Sequence, residues 1–174
     1  MTATKSEQGL ALAWVALAQV ALPQSRDAGH VVARPQDAAV THAQWVDAVR
    51  AWCAAFQRVQ GAEVALYCGN PLTFAAALWG AWHAGKTPVL ASDLHAHTLS
   101  ALLPQVAACA GELPQALVPD AAGADGVVLQ PLDMHKARVV LFTSGSTGVP
   151  ERIEKRLSQL DAEVQALQAV FGVG

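Results

Sequence analysis

Hydroxyl-bearing residues and glycines make up the segment from Thr143 to Gly148, directly after the apolar residues 139–142. Gly145 and Gly148 let the backbone adopt positive φ and approach an anion closely. The other four positions add hydroxyl donors to the backbone N–H groups: Thr143, Ser144, Ser146 and Thr147. Pro150 ends the loop stiffly. This combination of small residues and donors predicts a loop that holds a phosphate group.

Three better-known loop motifs do not fit. A Walker-type loop needs Lys followed by Ser or Thr after its last glycine, and no such pair follows Gly148. The dinucleotide fingerprint needs Gly-x-Gly-x-x-Gly, which this loop lacks. A nucleophile elbow needs glycine where Ser144 stands, so Ser146 is a poor nucleophile, and the serine-hydrolase alternative has no evident His/Asp partners.

Residues Phe142 to Pro150 resemble the phosphate-binding signature of the adenylate-forming (AMP-binding) superfamily, Thr-Ser-Gly-Ser/Thr-Thr-Gly-x-Pro-Lys-Gly. Its members include acyl- and aryl-CoA synthetases, luciferases and peptide-synthetase adenylation domains. The resemblance implies ATP and Mg²⁺ as cofactors, with a carboxylate attacking the α-phosphate to give an acyl-adenylate and pyrophosphate. It implies no catalytic residue and no metal ligand in this chain, and it places the β- and γ-phosphates on Thr143, Ser144, Gly145, Ser146, Thr147 and Gly148.

Two departures follow the match immediately. Glu151 stands where the superfamily usually has lysine, and Arg152 stands where it usually has glycine. One positive charge expected near the phosphates has therefore become negative, and Arg152 offers a compensating charge.

The order of predicted elements also resembles the start of the adenylate-forming fold. Residues 41–59, 64–70 and 72–90 fit its early helix, its strand ending at Asn, and its Ala-rich helix before a Pro-Val strand. The resemblance implies that residues 1–174 form a single α/β domain, the N-terminal portion of an AMP-binding ligase domain, with the phosphate loop at 143–150. In that superfamily the later part supplies the adenine pocket, the acyl pocket, the metal-holding glutamate and the lysine of the mobile C-terminal domain. A complete active site is therefore not expected in this chain.

Hydrophobic periodicity and turn signals alternate along the chain. Thr41 and Gln44 have the spacing of a capping box, and Pro104 interrupts one helical pattern. The patterns predict a first helix stopping near Pro23, helices at 41–61, 72–84, 94–110 and from Ser158 with Asp161 as its cap partner, and strands at 64–68, 87–91, 116–118, 127–129, 138–142 and 152–155. This alternation predicts a mostly parallel β-sheet with helices on both faces, and ligands in such sheets bind beyond the carboxyl ends of the strands.

Composition narrows the class of protein and its partners. The chain has 174 residues, 53% hydrophobic and 14% charged, with a net charge of -3. One sizeable core is expected, and neither nucleic acid nor an anionic membrane is expected as a partner. Cys53, Cys68 and Cys109 form no Cys-x-x-Cys pair and are predicted to be core thiols in a reducing compartment. Residues 9–22 are too short to span a bilayer and lack a cleavage site, so a packed helix and a cytoplasmic location are predicted.

Isolated histidines carry weaker signals. His95 and His97 lie beside Asp93, but the run lacks the further ligands of a metal site and is interpreted as helix surface. His83 is interpreted as packing on its helix beside Trp79.

Two hypotheses for function remain open. The first is the N-terminal fragment of an ATP-dependent ligase that activates a carboxylic acid as its adenylate for transfer to CoA or a carrier-protein thiol. The second is a non-catalytic, truncated or degenerate phosphate- or nucleotide-binding module that serves as a partner subunit, as Glu151 hints. The isolated chain is also expected to pair with itself if apolar surface that another segment normally covers is exposed.

Overall fold

A computed structural model describes residues 15–35, 38–143 and 151–171. Short 3₁₀ turns lie at Pro23–Ser25, Leu103–Gln105 and Ala124–Gly126. In chain order the helices and strands are β1 (Val31–Ala33), β2 (Val40–Thr41), α1 (His42–Gln57), β3 (Glu63–Tyr67), α2 (Pro71–His83), β4 (Thr87–Leu90), α3 (Ala96–Leu102), β5 (Ala108–Gly111), β6 (Arg138–Thr143), β7 (Glu151–Arg156) and α4 (Leu157–Phe171).

A five-stranded sheet in the order β5-β3-β4-β6-β7 lies at the centre of the described residues. The first four strands are parallel, and β7 returns antiparallel to β6. Successive side chains of β3 face opposite sides, because side chains alternate along a strand. Val64 and Leu66 pack with α1 and α2, whereas Ala65 packs with Leu99 and Leu102 of α3. The predicted α/β architecture, mostly parallel with helices on both faces, is confirmed.

The capping box at the start of α1 is confirmed. The Thr41 hydroxyl accepts a hydrogen bond from the backbone N–H of Gln44 at 3.3 Å, and the Gln44 side chain accepts one from the backbone N–H of Thr41 at 2.9 Å. Two backbone donors at the helix start are thereby satisfied. The helix then buries its apolar side, including the fully buried Phe56.

Asn70 ends the loop after β3 and begins α2. Its side-chain oxygen accepts hydrogen bonds from the backbone N–H groups of Leu72 at 2.9 Å and Thr73 at 3.1 Å. Pro71 occupies the first helical position, where its missing N–H has no cost. The sequence Asn-Pro therefore fixes where the chain turns from the sheet edge into the helix.

Small residues of α2 let the two helices approach closely. A Cβ atom on Gly80 would lie 2.5 Å from the Cβ of Trp52 in α1, so only glycine fits there. Indole groups fill the surrounding space, with the Trp79 and Trp82 rings 5.1 Å apart in an edge-to-face arrangement. The Trp82 Nε1–H donates to the carbonyl oxygen of Arg138 at 2.7 Å and so ties α2 to β6. Trp79 and Trp82 therefore anchor α2 in the core.

The predicted helix at 94–110 is wrong over its second half. The α-helix ends at Leu102, and Pro104 lies in a 3₁₀ turn as its missing N–H requires. Residues 108–111 instead form β5, the parallel neighbour of β3. Residues 108–111 form a strand because they pair with the buried β3. A short run of small residues has little intrinsic preference for either helix or strand.

Two predicted strands do not form. Residues 116–118 contribute only a single parallel bridge between Leu117 and Ala110. Residues 127–129 do alternate, with Val127 and Leu129 buried and Val128 exposed. Val127 and Leu129 pack into the helical side of the core, and no sheet ladder forms along this segment among the described residues. The alternation of apolar residues that predicted a strand here reflects alternate burial without strand pairing.

The two chain-terminal helix predictions also need correction. Residues 15–22 contain turns at 17–21 and no α-helix, and the rest of the predicted first helix lies outside the described residues. The final helix begins at Leu157, so Ser158 is inside it rather than its cap. Asp161 is buried and accepts a hydrogen bond from the backbone N–H of Leu17 at 2.8 Å. The Asp161 carboxylate therefore binds a residue far away in the sequence, which sequence spacing does not reveal.

Candidate functional site

The predicted phosphate loop connects two paired strands at one edge of the sheet. β6 and β7 are antiparallel, and their ladder runs from Arg138 opposite Arg156 to Thr143 opposite Glu151. β4 lies beside β6 in parallel, with Val89 level with Val140. The loop therefore leaves β6 at the carboxyl end of the parallel strands, where open α/β sheets bind their ligands.

Of the six predicted cofactor-binding residues, the structure describes only the backbone of Thr143, the last residue of β6. The other five lie outside the described residues: Ser144, Gly145, Ser146, Thr147 and Gly148. Their role in holding phosphate stays a prediction, and so does the exclusion of Ser146 as a nucleophile.

Charges beside the loop do not match the arrangement expected for a phosphate site. Glu151 is the first residue of β7, is exposed, and faces Thr143 across the ladder. The Arg152 guanidinium donates to both carboxylate oxygens of Glu63, one of them at 3.1 Å, and this bond raises its pKa. The positive charge of Arg152, which could have compensated for Glu151, is therefore already paired with the carboxylate of Glu63 in β3.

Residues after the neighbouring strands line the same edge. The backbone N–H of Gly69, after β3, donates to the Glu112 carboxylate, after β5, at 2.7 Å. Gly111 has φ of +83°, and a Cβ there would lie 2.0 Å from the carbonyl oxygen of Tyr67, so glycine is required. Sequence reasoning missed Glu112, because the strand that places it was predicted as helix.

Asp93 and His95 form a local cluster after β4. The Asp93 carboxylate accepts the backbone N–H of His95 at 2.9 Å and lies 3.2 Å from its Nδ1. Hydrogen bonds from Thr98 and from His95 lower the pKa of Asp93 to about 2. The His95 and His97 rings stack with centroids 5.8 Å apart. Both side chains are exposed, His95 directly before α3 and His97 within it, which fits their interpretation as helix surface.

Donors for a metal ion are sparse around this edge. Within the three described ranges, no group of three or more His, Cys, Asp or Glu side chains could hold a metal ion. Mg²⁺ is usually held by one or two carboxylates together with substrate phosphates, so a fully protein-built site is not needed for it. The hydroxyls and glycines of residues 143–148 suit phosphate, whereas the described residues offer Mg²⁺ no ready set of ligands.

A separate cleft lies away from the strand ends. Its volume is about 700 Å³, and Asp47 and Arg50 of α1 line one side of it. Arg50 donates to Asp47 at 2.9 Å. The opposite side comes from the 121–130 segment, including Asp125. None of its lining residues lies at the carboxyl end of a strand, so this cleft is distinct from the candidate site.

The chain matches no protein-family model and no curated protein sequence. It does match solved structures. Amide bond synthetase McbA from Marinactinospora thermotolerans aligns over 80% of this chain and 35% of its own, with a TM-score of 0.57 and 20% identity. o-Succinylbenzoate CoA synthetase from Bacillus subtilis, in complex with an acyl-adenylate intermediate, aligns over 84% and 43%, with a TM-score of 0.57 and 17% identity. The N-terminal subdomain of NpsA from Klebsiella oxytoca aligns over 82% and 40%, with a TM-score of 0.58 and 18% identity.

These matches define the class of fold. The described residues have the fold of the N-terminal subdomain of adenylate-forming enzymes, as the sequence resemblance predicted. The chain spans 35% to 43% of the length of these three structures. No helix in the described part of the chain is long and apolar enough to cross a membrane.

Proposed function

We propose that this chain is the N-terminal, phosphate-binding portion of an ATP-dependent ligase that activates a carboxylic acid as its acyl-adenylate. The observation that carries the proposal is the match of residues 142–150 to the adenylate-forming signature, in a loop that leaves the carboxyl end of β6. The fold shared with adenylate-forming enzymes supports it.

Within this proposal, residues 143–148 hold the β- and γ-phosphates of ATP. Backbone N–H groups and hydroxyls would stabilise the negative charge that collects on the pyrophosphate leaving group, and this positioning is the main contribution a protein makes to phosphate chemistry. Mg²⁺, when bound, would neutralise part of the negative charge of the phosphates. The acyl group would pass to CoA or to a carrier-protein thiol, and the unpaired cysteines fit a cytoplasmic enzyme.

The intact mass of the protein as its source cells make it tests this proposal. A product much heavier than 18.1 kDa that also catalyses exchange of pyrophosphate into ATP, dependent on a carboxylic acid, is the expected result. A heavier product with no such exchange across a panel of aliphatic and aromatic acids would contradict the ligase assignment.

A second candidate, a non-catalytic phosphate-binding module acting as a partner subunit, is favoured by one observation. Glu151 takes the place of the usual lysine, and Arg152 is bonded to Glu63 rather than left free. A native mass of 18.1 kDa together with weak ATP binding and no adenylate formation would support this candidate over the ligase.

A further inference from the structure

β7 presents an unpaired edge of the sheet. It pairs with β6 on one side and with no other strand among the described residues. The opposite edge is partly covered, because Leu117 donates its backbone N–H to the carbonyl oxygen of Cys109 in β5 at 2.7 Å. The outward N–H and C=O groups of β7 are therefore the more accessible template for another strand.

The sequence of β7 is Glu-Arg-Ile-Glu-Lys-Arg. Charges on an edge strand usually block pairing, because most registers bring like charges together. In one antiparallel register they do the reverse. When the strand pairs with its own copy about a two-fold axis at Ile153, Arg152 faces Glu154 and Glu151 faces Lys155 in both directions, and Ile153 faces Ile153.

Neighbouring registers are disfavoured by the same charges. A two-fold axis at Arg152 sets that guanidinium against itself, and one at Glu154 sets that carboxylate against itself. An axis midway between Ile153 and Glu154 sets Arg152 against Lys155. Parallel in-register pairing aligns every charge with its like. Like charges directly opposite each other destabilise a sheet, so these registers are disfavoured relative to the one centred on Ile153, which brings together four oppositely charged pairs.

The helix that follows β7 carries a second uncovered surface. Four residues of α4 recur on one side of the helix and are 37%, 56%, 75% and 70% exposed: Val164, Leu167, Val170 and Phe171. Only Leu157 and Asp161 of this helix are buried within the described residues.

We propose that β7 is a homodimerisation strand, which pairs with β7 of a second copy in the antiparallel register centred on Ile153. A two-fold axis perpendicular to the joined sheet leaves the α4 helices of both copies on the same side of that sheet. The contact is isologous, and it pairs the β7 edge of each copy. The assembly therefore stops at a dimer and does not extend into a fibre.

Cysteine cross-linking tests the register directly. Residues directly opposite each other across an antiparallel pair have Cα atoms about 4.5–5.5 Å apart, within the range of a disulfide. Ile153→Cys is expected to give a disulfide-linked dimer under mild oxidation at least about tenfold faster than Val128→Cys, an exposed control on another segment. Cys53 and Cys109 are buried, Cys68 is half-buried, and burial raises the pKa of all three. Both variants carry the same three native thiols, so the wild type measures their background. Equal rates for the two variants would overturn the proposal.

Charge reversal tests the pairing by a second route. Arg152→Glu and Glu154→Arg are each expected to weaken dimerisation about tenfold, measured by light scattering across a concentration series. The double variant is expected to return to within about threefold of the wild type, because opposite charges face each other again. Within one copy the double variant would worsen contacts to Glu63 and Arg138, so recovery is specific to the dimer. A wild-type mass of 18.1 kDa at every concentration, or no recovery, would overturn the proposal.

Discussion

Arg152 forms a two-point ion pair with Glu63, which joins the strand after the predicted phosphate loop to the first residue of β3. The Arg152 side chain is 39% exposed, and that of Glu63 is 28% exposed. The cation nearest the loop in sequence is therefore held by a carboxylate. Phosphate affinity should depend on this pair if residues 143–148 bind ATP.

Glu63→Gln is expected to tighten binding of ATP or pyrophosphate, because it releases the Arg152 guanidinium. Exposed pairs are worth about 0.2–1 kcal/mol, so the gain should reach at most about fivefold. Titration calorimetry at low ionic strength measures it. Glu163→Gln is the matched control, since it removes one charge from the pair between Glu163 of α4 and Lys155 of β7. An equal gain in both variants would show that net charge, rather than Arg152, is responsible.

Glu151→Lys is expected to tighten binding of the same ligands and to steepen its salt dependence, because it restores the charge that the adenylate-forming signature carries. Glu151 is exposed, so the interaction is screened as salt rises. Affinities measured at about 20 mM and 500 mM salt should differ more for the variant than for the wild type. Glu163→Lys makes the same charge change on α4. Unchanged affinity in Glu151→Lys would mean that this side chain points away from the phosphates.

Gly80→Ala is expected to lower the free energy of unfolding by about 1–3 kcal/mol, because the added Cβ overlaps α1. It would lie 2.5 Å from the Trp52 Cβ and 2.9 Å from the Cys53 backbone nitrogen. Urea denaturation measures the change. Gly126→Ala is the matched control, since a Cβ there meets nothing within 4 Å. Similar stabilities for the two variants would contradict the close approach of α1 and α2.

Local signals with a defined hydrogen-bonding partner predicted structure well. Thr41 with Gln44 located the start of α1, because each side chain has one obvious backbone donor to satisfy. The helix α2 was predicted from Leu72, and the cap formed by Asn70 before Pro71 was not recognised. Long-range pairing could not be predicted in this way. Strand β5 forms by pairing with β3, which lies more than 40 residues earlier in the chain. Asp161 accepts a hydrogen bond from Leu17, which is also far away in the sequence.

His83 predicts a pH dependence of stability. Burial lowers its pKa from 6.5 to about 4, and its Nε2 has no hydrogen-bond partner. The unfolded chain therefore takes up the proton first as the pH falls. The stabilising effect of a neutral His83 is complete above pH 6.5 and is lost towards pH 4, by at most about 1.4 kcal/mol per pH unit.

Urea midpoints of the wild type and His83→Gln across this pH range test the assignment. The wild type should lose stability more steeply than His83→Gln as the pH falls, while His135→Gln, at an exposed position, should follow the wild type. Parallel curves for all three proteins would show that His83 is not the titrating group.

Prediction of the candidate site depended on its position in the sheet and on one motif. The strand at 138–142 was predicted and forms as β6, so the loop was correctly placed at the carboxyl end of a parallel strand. The bond between Arg152 and Glu63 was not predicted, because it joins distant segments. A motif identifies which residues are suited to phosphate, but the charges around it are set by the tertiary structure.

The most direct test of the phosphate role is calorimetric titration of ATP into the wild-type chain and into Gly145→Val, with Gly126→Val as a control at an open glycine. A loop without its adenine pocket should bind weakly, with a Kd on the order of 1 mM. The wild type and Gly126→Val should bind equally, and Gly145→Val should show no binding, because the added side chain blocks close backbone approach to phosphate. Equal ATP affinity in all three proteins would contradict the phosphate role of residues 143–148.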